Sequence, residues 1–112
     1  MTEASEKDAV SESAFGAGGV LLRRHPAEGN GVVAEIVLNR AEAMNAISTG
    51  MAAAIREVAP QLTEDPAVRA VVVSSAAPAA EGKNHAFCVG VDLKERNQMS
   101  DAELVATRPA FR

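Results

Sequence analysis

Two β-branched apolar runs on either side of one amphipathic stretch set the strongest constraint on this chain. Val32-Val33-Ala34-Glu35-Ile36-Val37-Leu38 runs without a break from Gly31 to Asn39-Arg40, and Val71-Val72-Val73-Ser74-Ser75 follows the Asp65-Pro66 break. Both read as strands. Between them Met51, Ala54, Ile55, Val58 and Leu62 recur at spacings of three and four, with Arg56, Glu57, Gln61 and Glu64 on the other side. That is the pattern of an amphipathic helix packed on a core, and Ser48 is placed to start it. Pro60 falls inside the pattern, so the helix is expected to kink or end near Val58. Strand, helix and strand make one βαβ unit with a right-handed crossover. The second run has no alternation, which predicts a parallel strand covered on both faces. The fold class is α/β.

Upstream, Val20-Leu21-Leu22-Arg23-Arg24 reads as a further strand, joined through His25-Pro26-Ala27-Glu28-Gly29-Asn30-Gly31 to the run at Val32. Asn30-Gly31 is a hairpin signal, so these two strands should pair antiparallel, with His25 a solvated loop residue. Residues 1–15 are polar and acidic at first, without a periodic apolar face, and are expected to be a disordered leader ahead of a domain over 16–112. Gly16, Gly18 and Gly19 do not form a dinucleotide loop, because no strand precedes them and no helix follows.

Downstream, Ala76 to His85 reads as a small-residue, polar loop. Its Gly82-Lys83 lacks the earlier glycine and the Ser or Thr of a phosphate loop. Ala86-Phe87-Cys88-Val89-Gly90-Val91 then leads into Asp92-Leu93-Lys94-Glu95-Arg96, where the acid suits a helix N-terminus. A turn of this kind exposes backbone amides that can hold an anion or a polarised carbonyl. Ser100-Asp101-Ala102-Glu103 is a capping box for one more short helix, which Pro109 limits.

Composition excludes several classes. Over 112 residues the net charge is -4, and no Lys or Arg cluster offers a surface for nucleic acid. Aromatics are 3%, so the core must be aliphatic. A single cysteine allows no internal disulfide and fits a reducing compartment, and the expected location is cytoplasmic. No apolar run reaches the roughly 20 residues of a membrane span. Nor does a ligand cluster suggest a metal or redox cofactor.

Two blocks carry a family likeness. Ile36-Val37-Leu38-Asn39-Arg40-Ala41-Glu42-Ala43-Met44-Asn45-Ala46-Ile47 resembles the LNRPxxxNAL loop of the enoyl-CoA hydratase/isomerase (crotonase) family. Phe87-Cys88-Val89-Gly90-Val91-Asp92-Leu93-Lys94-Glu95 resembles that family's F(C/S)AGADLKE signature. Their order and separation match as well, and the likeness extends over about residues 19–112. Asp92 to Arg96 followed by Met99-Ser100 looks most like the methylglutaconyl-CoA hydratase branch.

The resemblance implies the first part of a crotonase-like ββα spiral, incomplete over this length. It implies an acyl-CoA thioester substrate, with coenzyme A present only as part of that substrate, and a homotrimer or hexamer for the full-length form. It places the backbone N–H of Val91 as one donor of an oxyanion hole. It sets Val89, Gly90, Val91, Asp92, Leu93 and Lys94 along the CoA and acyl channel, and Glu42, Met44 and Ala46 against the CoA pantetheine and adenine. An enolate-like state with charge on the thioester oxygen explains the need for such donors, and losing one typically costs about 3 kcal/mol. Valine stands at 89 and 91 where the family usually has alanine, and Ala41 stands where proline is usual.

By the same resemblance a glycine-rich loop further along supplies the second donor, and later glutamates act as general acid and base. These 112 residues hold no counterpart of either, so the chain alone is expected to be inactive. Asp92, Glu95 and Glu103 are expected to cap helices rather than to catalyse. Cys88 is expected to be a small, buried residue, and His85 a surface loop residue. The alternative is a non-catalytic acyl-CoA-binding or assembly module. An RNA-binding role, known in the methylglutaconyl-CoA hydratase branch, is disfavoured by the charge.

Overall fold

The computed structural model describes residues 10–15, 18–77 and 85–111. Four strands form one sheet in the order β1 (Ser11–Phe15), β2 (Val20–Pro26), β3 (Val32–Leu38) and β4 (Val68–Ser75). The first three pair antiparallel, and β3 pairs β4 in parallel across the connecting helix α1 (Thr49–Glu64). Two short helices follow, α2 (Leu93–Asn97) and α3 (Asp101–Thr107), and a 3-10 turn at Arg108–Phe111. The expected α/β class and βαβ unit are therefore present.

The core lies between α1 and one face of the sheet. Alternation in β2 and β3 points Val20, Leu22, Ala34, Ile36 and Leu38 at Met51, Ala54, Val58 and Leu62 of α1. Ser48 caps α1 by accepting the Met51 N–H at 3.2 Å. α1 stays helical through Pro60, against the expected stop near Val58. Pro60 is exposed, while Val58 and Leu62 on either side of it are buried. Apolar anchoring on both sides outweighs the one hydrogen bond that proline cannot make.

Three further expectations need correction. Ser11–Phe15 was expected in the leader but forms the edge strand β1. It pairs along all five residues with β2, with Phe15 packed against the core and Glu12 opposite Arg23, its Oε2 accepting from Nε at 2.7 Å. The leader residues 1–9 lie outside the described residues, as does most of the loop expected over 76–85. His25 was expected in a solvated loop. It belongs to β2 instead, with Nε2 at 2.8 Å from Glu35 Oε1. The hairpin turn places its left-handed residues at Gly29 and Asn30 (φ 66° and 64°) rather than at Asn30-Gly31.

The last correction concerns β4. A strand covered on both faces was expected, yet Val71, Val72 and Val73 are 48%, 49% and 50% exposed. β4 is an outer strand of the sheet, and successive valines point to opposite faces. Val71 and Val73 stand beside Ala34 and Ile36, and Val72 beside Glu35. Among the described residues this apolar strand is thus left about half exposed on both faces.

Candidate functional site

The turn from Ala86 to Asp92 is held against the loop that follows β3. Ile47 N–H donates to Gly90 O at 2.8 Å, and Asp92 N–H donates to Ile47 O at 2.9 Å. These two bonds make a parallel bridge between Ile47 and Val91. The Gly90 carbonyl and the Val91 N–H belong to one trans peptide and point opposite ways, so the bridge turns the Val91 N–H away from Ile47. Among the described residues no acceptor takes that N–H. Val91 itself is 36% exposed. The result is one open backbone donor on a peptide unit whose carbonyl is fixed.

Gly90 makes this geometry possible. Its φ is 105°, a conformation that L side chains rarely adopt. Its own N–H points to Cys88 Sγ at 3.3 Å. Cys88, expected to be buried, is half-buried and packs against the core.

Side chains from the two sequence blocks lock the turn further. Arg40 Nη1 donates to Asp92 Oδ2 at 2.7 Å and to Ala46 O at 3.3 Å. The other oxygen of Asp92, Oδ1, caps α2 by accepting the N–H groups of Lys94 and Glu95 at 3.0 and 3.2 Å. Glu95 Oε1 accepts the Thr49 N–H at 2.7 Å and its hydroxyl at 2.5 Å, closing the first turn of α1. Glu103 completes a capping box with Ser100. All three acids near the turn are thus structural caps, as expected.

Asn45 is the residue that sequence reasoning passed over. It is only 1% exposed and sits in the left-handed region at φ 57°. Its Oδ1 accepts the Arg40 N–H at 2.9 Å, and its Nδ2 donates to Ala76 O at 3.0 Å and to Ala86 O at 2.9 Å. A left-handed residue inside the first block was a visible opening, since asparagine tolerates that conformation. Its partners lie 31 and 41 residues away, beyond any local pattern.

The remaining candidate residues divide by exposure. Glu42 and Met44 are exposed on the loop, with Met44 also left-handed at φ 51°. Ala46 is buried, its N–H donated to Ala43 O at 3.1 Å and its carbonyl accepting from Arg40. Val89, Gly90, Leu93 and Lys94 are exposed around the turn. A cleft of about 160 Å³ opens beside Val91, with Thr49, Glu95, Met99, Leu104 and Phe111 among its walls. His85 Nε2 stands 3.2 Å from the Ser75 hydroxyl at the surface. Among the described residues no group of three or more His, Cys, Asp or Glu could hold a metal ion, and no helix is long and apolar enough to cross a membrane.

Three carboxyls are held below their ordinary range. For Asp92 the main cause is the Arg40 guanidinium, then the Glu95 N–H. For Glu35 it is the Ser74 hydroxyl at 2.6 Å, then His25, and for Asp65 the Ala67 N–H, then Arg24. Depressed folded values mean that the ionised forms stabilise the fold above the unfolded value, about 3.9 for Asp. That contribution is lost as pH falls through the lower folded values. Thermal unfolding should therefore be flat above about pH 5 and should fall steeply below about pH 4. Asp92→Asn keeps a capping side chain but loses the ion pair, so its melting point should be lower at neutral pH and converge with the wild type in acid. Parallel curves at all pH values would contradict this role for Asp92.

Comparison with known proteins gives consistent results. The Enoyl-CoA hydratase/isomerase family model matches residues 33–112. Enoyl-CoA hydratase domain-containing protein 2, mitochondrial, of Homo sapiens is 36% identical over 95 residues, covering 85% of this chain and 30% of that protein. Methylglutaconyl-CoA hydratase, mitochondrial, of Homo sapiens is 32% identical over 81 residues, covering 72% of this chain and 22% of that protein. Among solved structures, an enoyl-CoA hydratase from Bacillus anthracis superposes with a TM-score of 0.62 at 26% identity, over 80% of this chain and 31% of that one. The chain spans about a third or less of the length of these relatives.

Proposed function

The chain belongs to the enoyl-CoA hydratase/isomerase family, and from that premise we propose that it contributes one half of an acyl-CoA thioester site. The observation that carries this reading is the Val91 N–H, open among the described residues while the carbonyl of its own peptide, Gly90 O, and the Asp92 N–H of the next are both bound to Ile47. A thioester oxygen placed there accepts the Val91 N–H. As the adjacent carbon reacts, charge grows on that oxygen, and the hydrogen bond strengthens with it. Because the donor is backbone, held by Ile47, it needs no reorganisation when charge develops. Val89 to Lys94 line the path of the thioester, and exposed Glu42 and Met44 face the CoA portion.

One donor, with Asp92, Glu95 and Glu103 beside it already engaged, does not suffice for turnover. Asp92, Glu95 and Glu103 are each committed to a helix cap, so none is free to move a proton. We therefore read these 112 residues as binding acyl-CoA without hydrating it. That same observation supports the second reading, a non-catalytic acyl-CoA-binding or assembly module.

Calorimetry with butyryl-CoA and with CoA tests the site. Saturable binding that favours the thioester by about tenfold is expected from one added carbonyl hydrogen bond. No saturable binding by the folded chain would contradict the site altogether. In the same samples crotonyl-CoA should remain unhydrated, and measurable hydration would overturn the assignment of the acids as caps.

A further inference from the structure

The segment Phe87-Cys88-Val89 forms an arch whose two feet are tied to nearly adjacent residues of the loop after β3. At one foot Ala86 O accepts from Asn45 Nδ2, and at the other Gly90 O accepts from the Ile47 N–H. Phe87 and Val89 are 57% and 53% exposed, so the arch has little burial beyond the half-buried Cys88 to hold it. Its position depends on those feet.

We propose that Asn45 is the positioning residue for the Val91 donor, acting through the Ala86 foot. This deepens the thioester-site reading and rests on it. The side chain is suited to the task in three ways. Both amide hydrogens are used, one on Ala76, the first residue after β4, and one at the start of the arch. Its oxygen is used as well, by the Arg40 N–H. With 1% exposure, water has little access to replace any of these bonds. One buried amide therefore joins three chain segments, and the Ile47 bridge two residues on sets the direction of Val91. Without the amide, Ala86 O and Ala76 O lose their shared donor, and the arch is left with one foot.

The consequence is a separation of roles within one loop. Asn45 sets where the donor stands, while exposed Glu42 and Met44 face the CoA portion. A change at Asn45 should then weaken recognition of the thioester carbonyl more than recognition of CoA itself.

The test uses the full 112-residue chain, labelled with nitrogen-15, as wild type, Asn45→Gly and Asn45→Asp. Glycine accepts the left-handed backbone and removes only the side chain. Aspartate keeps the oxygen for Arg40 but sets an acceptor against two carbonyls. Amide exchange should speed up by tenfold or more at Ile47 and Asp92, whose N–H groups form the bridge, and stay within twofold at Val58 and Leu62 in α1. Calorimetry should show the butyryl-CoA over CoA preference falling about tenfold, with the CoA affinity unchanged within twofold. Unchanged exchange at Ile47 and Asp92 in a folded variant would overturn the proposal. So would loss of α1 protection in both variants, since Asn45 would then be a determinant of the whole fold. If the wild type shows no thioester preference, the site reading fails, and the exchange data still decide whether Asn45 positions the turn.

Discussion

Gly90→Val is expected to destabilise the chain by about 1–3 kcal/mol and to abolish its preference for an acyl thioester over CoA. Gly90 sits at φ 105°, where a side chain strains the backbone and a β-branched one most of all. Space is not the difficulty. A Cβ built at Gly90 meets no atom of the described residues within 4 Å. The penalty is therefore conformational, and relief comes by rotation about the Gly90 N–Cα bond, which turns the Gly90–Val91 peptide relative to the chain before it. That rotation moves the Gly90 carbonyl off the Ile47 N–H and re-aims the Val91 N–H. Gly90→Ala should show most of the same loss, because the strain begins with the Cβ itself. Urea unfolding and paired titrations with butyryl-CoA and CoA measure both parts. Wild-type behaviour of Gly90→Ala would mean that the positive φ is not what holds the donor in place.

The second large effect is expected at β4. Val71, Val72 and Val73 stand about half exposed on both faces of an outer strand, with unpaired backbone groups along its edge. A short, uncharged, β-branched segment of this kind templates pairing with another chain. The sample should therefore self-associate as its concentration rises. Val72→Lys should return it to a monomer with the same helix content, measured by sedimentation and circular dichroism. Val72 lies beside Glu35 in register, so the new ammonium gains a cross-strand carboxylate, and stability should change by less than about 0.5 kcal/mol. A monomeric wild type that unfolds in one sharp transition would contradict this account of β4.

How much of this was legible from residues alone depends on the range of each interaction. The run at Val32–Leu38, the Ser48 cap and the Ser100/Glu103 capping box are set by neighbours within a few positions, and the structure places them where the pattern did. The two blocks flanking α1 also marked the turn at Gly90 and its partner loop. What pattern could not show is how those blocks are joined. The Arg40–Asp92 pair spans 52 residues and Asn45 to Ala86 spans 41, and no local periodicity encodes either. β1 was missed for a similar reason. Ser11 to Phe15 has no apolar period of its own, and it is ordered by its register with β2, the Glu12–Arg23 pair and Phe15 against the core. Pro60 misled in the other direction, because a local rule was outweighed by Val58 and Leu62 packing on the sheet. β4 misled because its apolar run reads as a strand covered on both faces, whereas among the described residues both faces stay about half exposed.

The direct test of the account is the Val91 amide itself. In nitrogen-15 spectra, butyryl-CoA should move the Val91 N–H signal downfield as it gains an acceptor, and CoA lacking the acyl group should leave it in place. The Asp92 N–H, already bound to Ile47 O, should shift little with either ligand. A Val91 signal that responds equally to both, or to neither while butyryl-CoA binds, would contradict its assignment as the thioester donor.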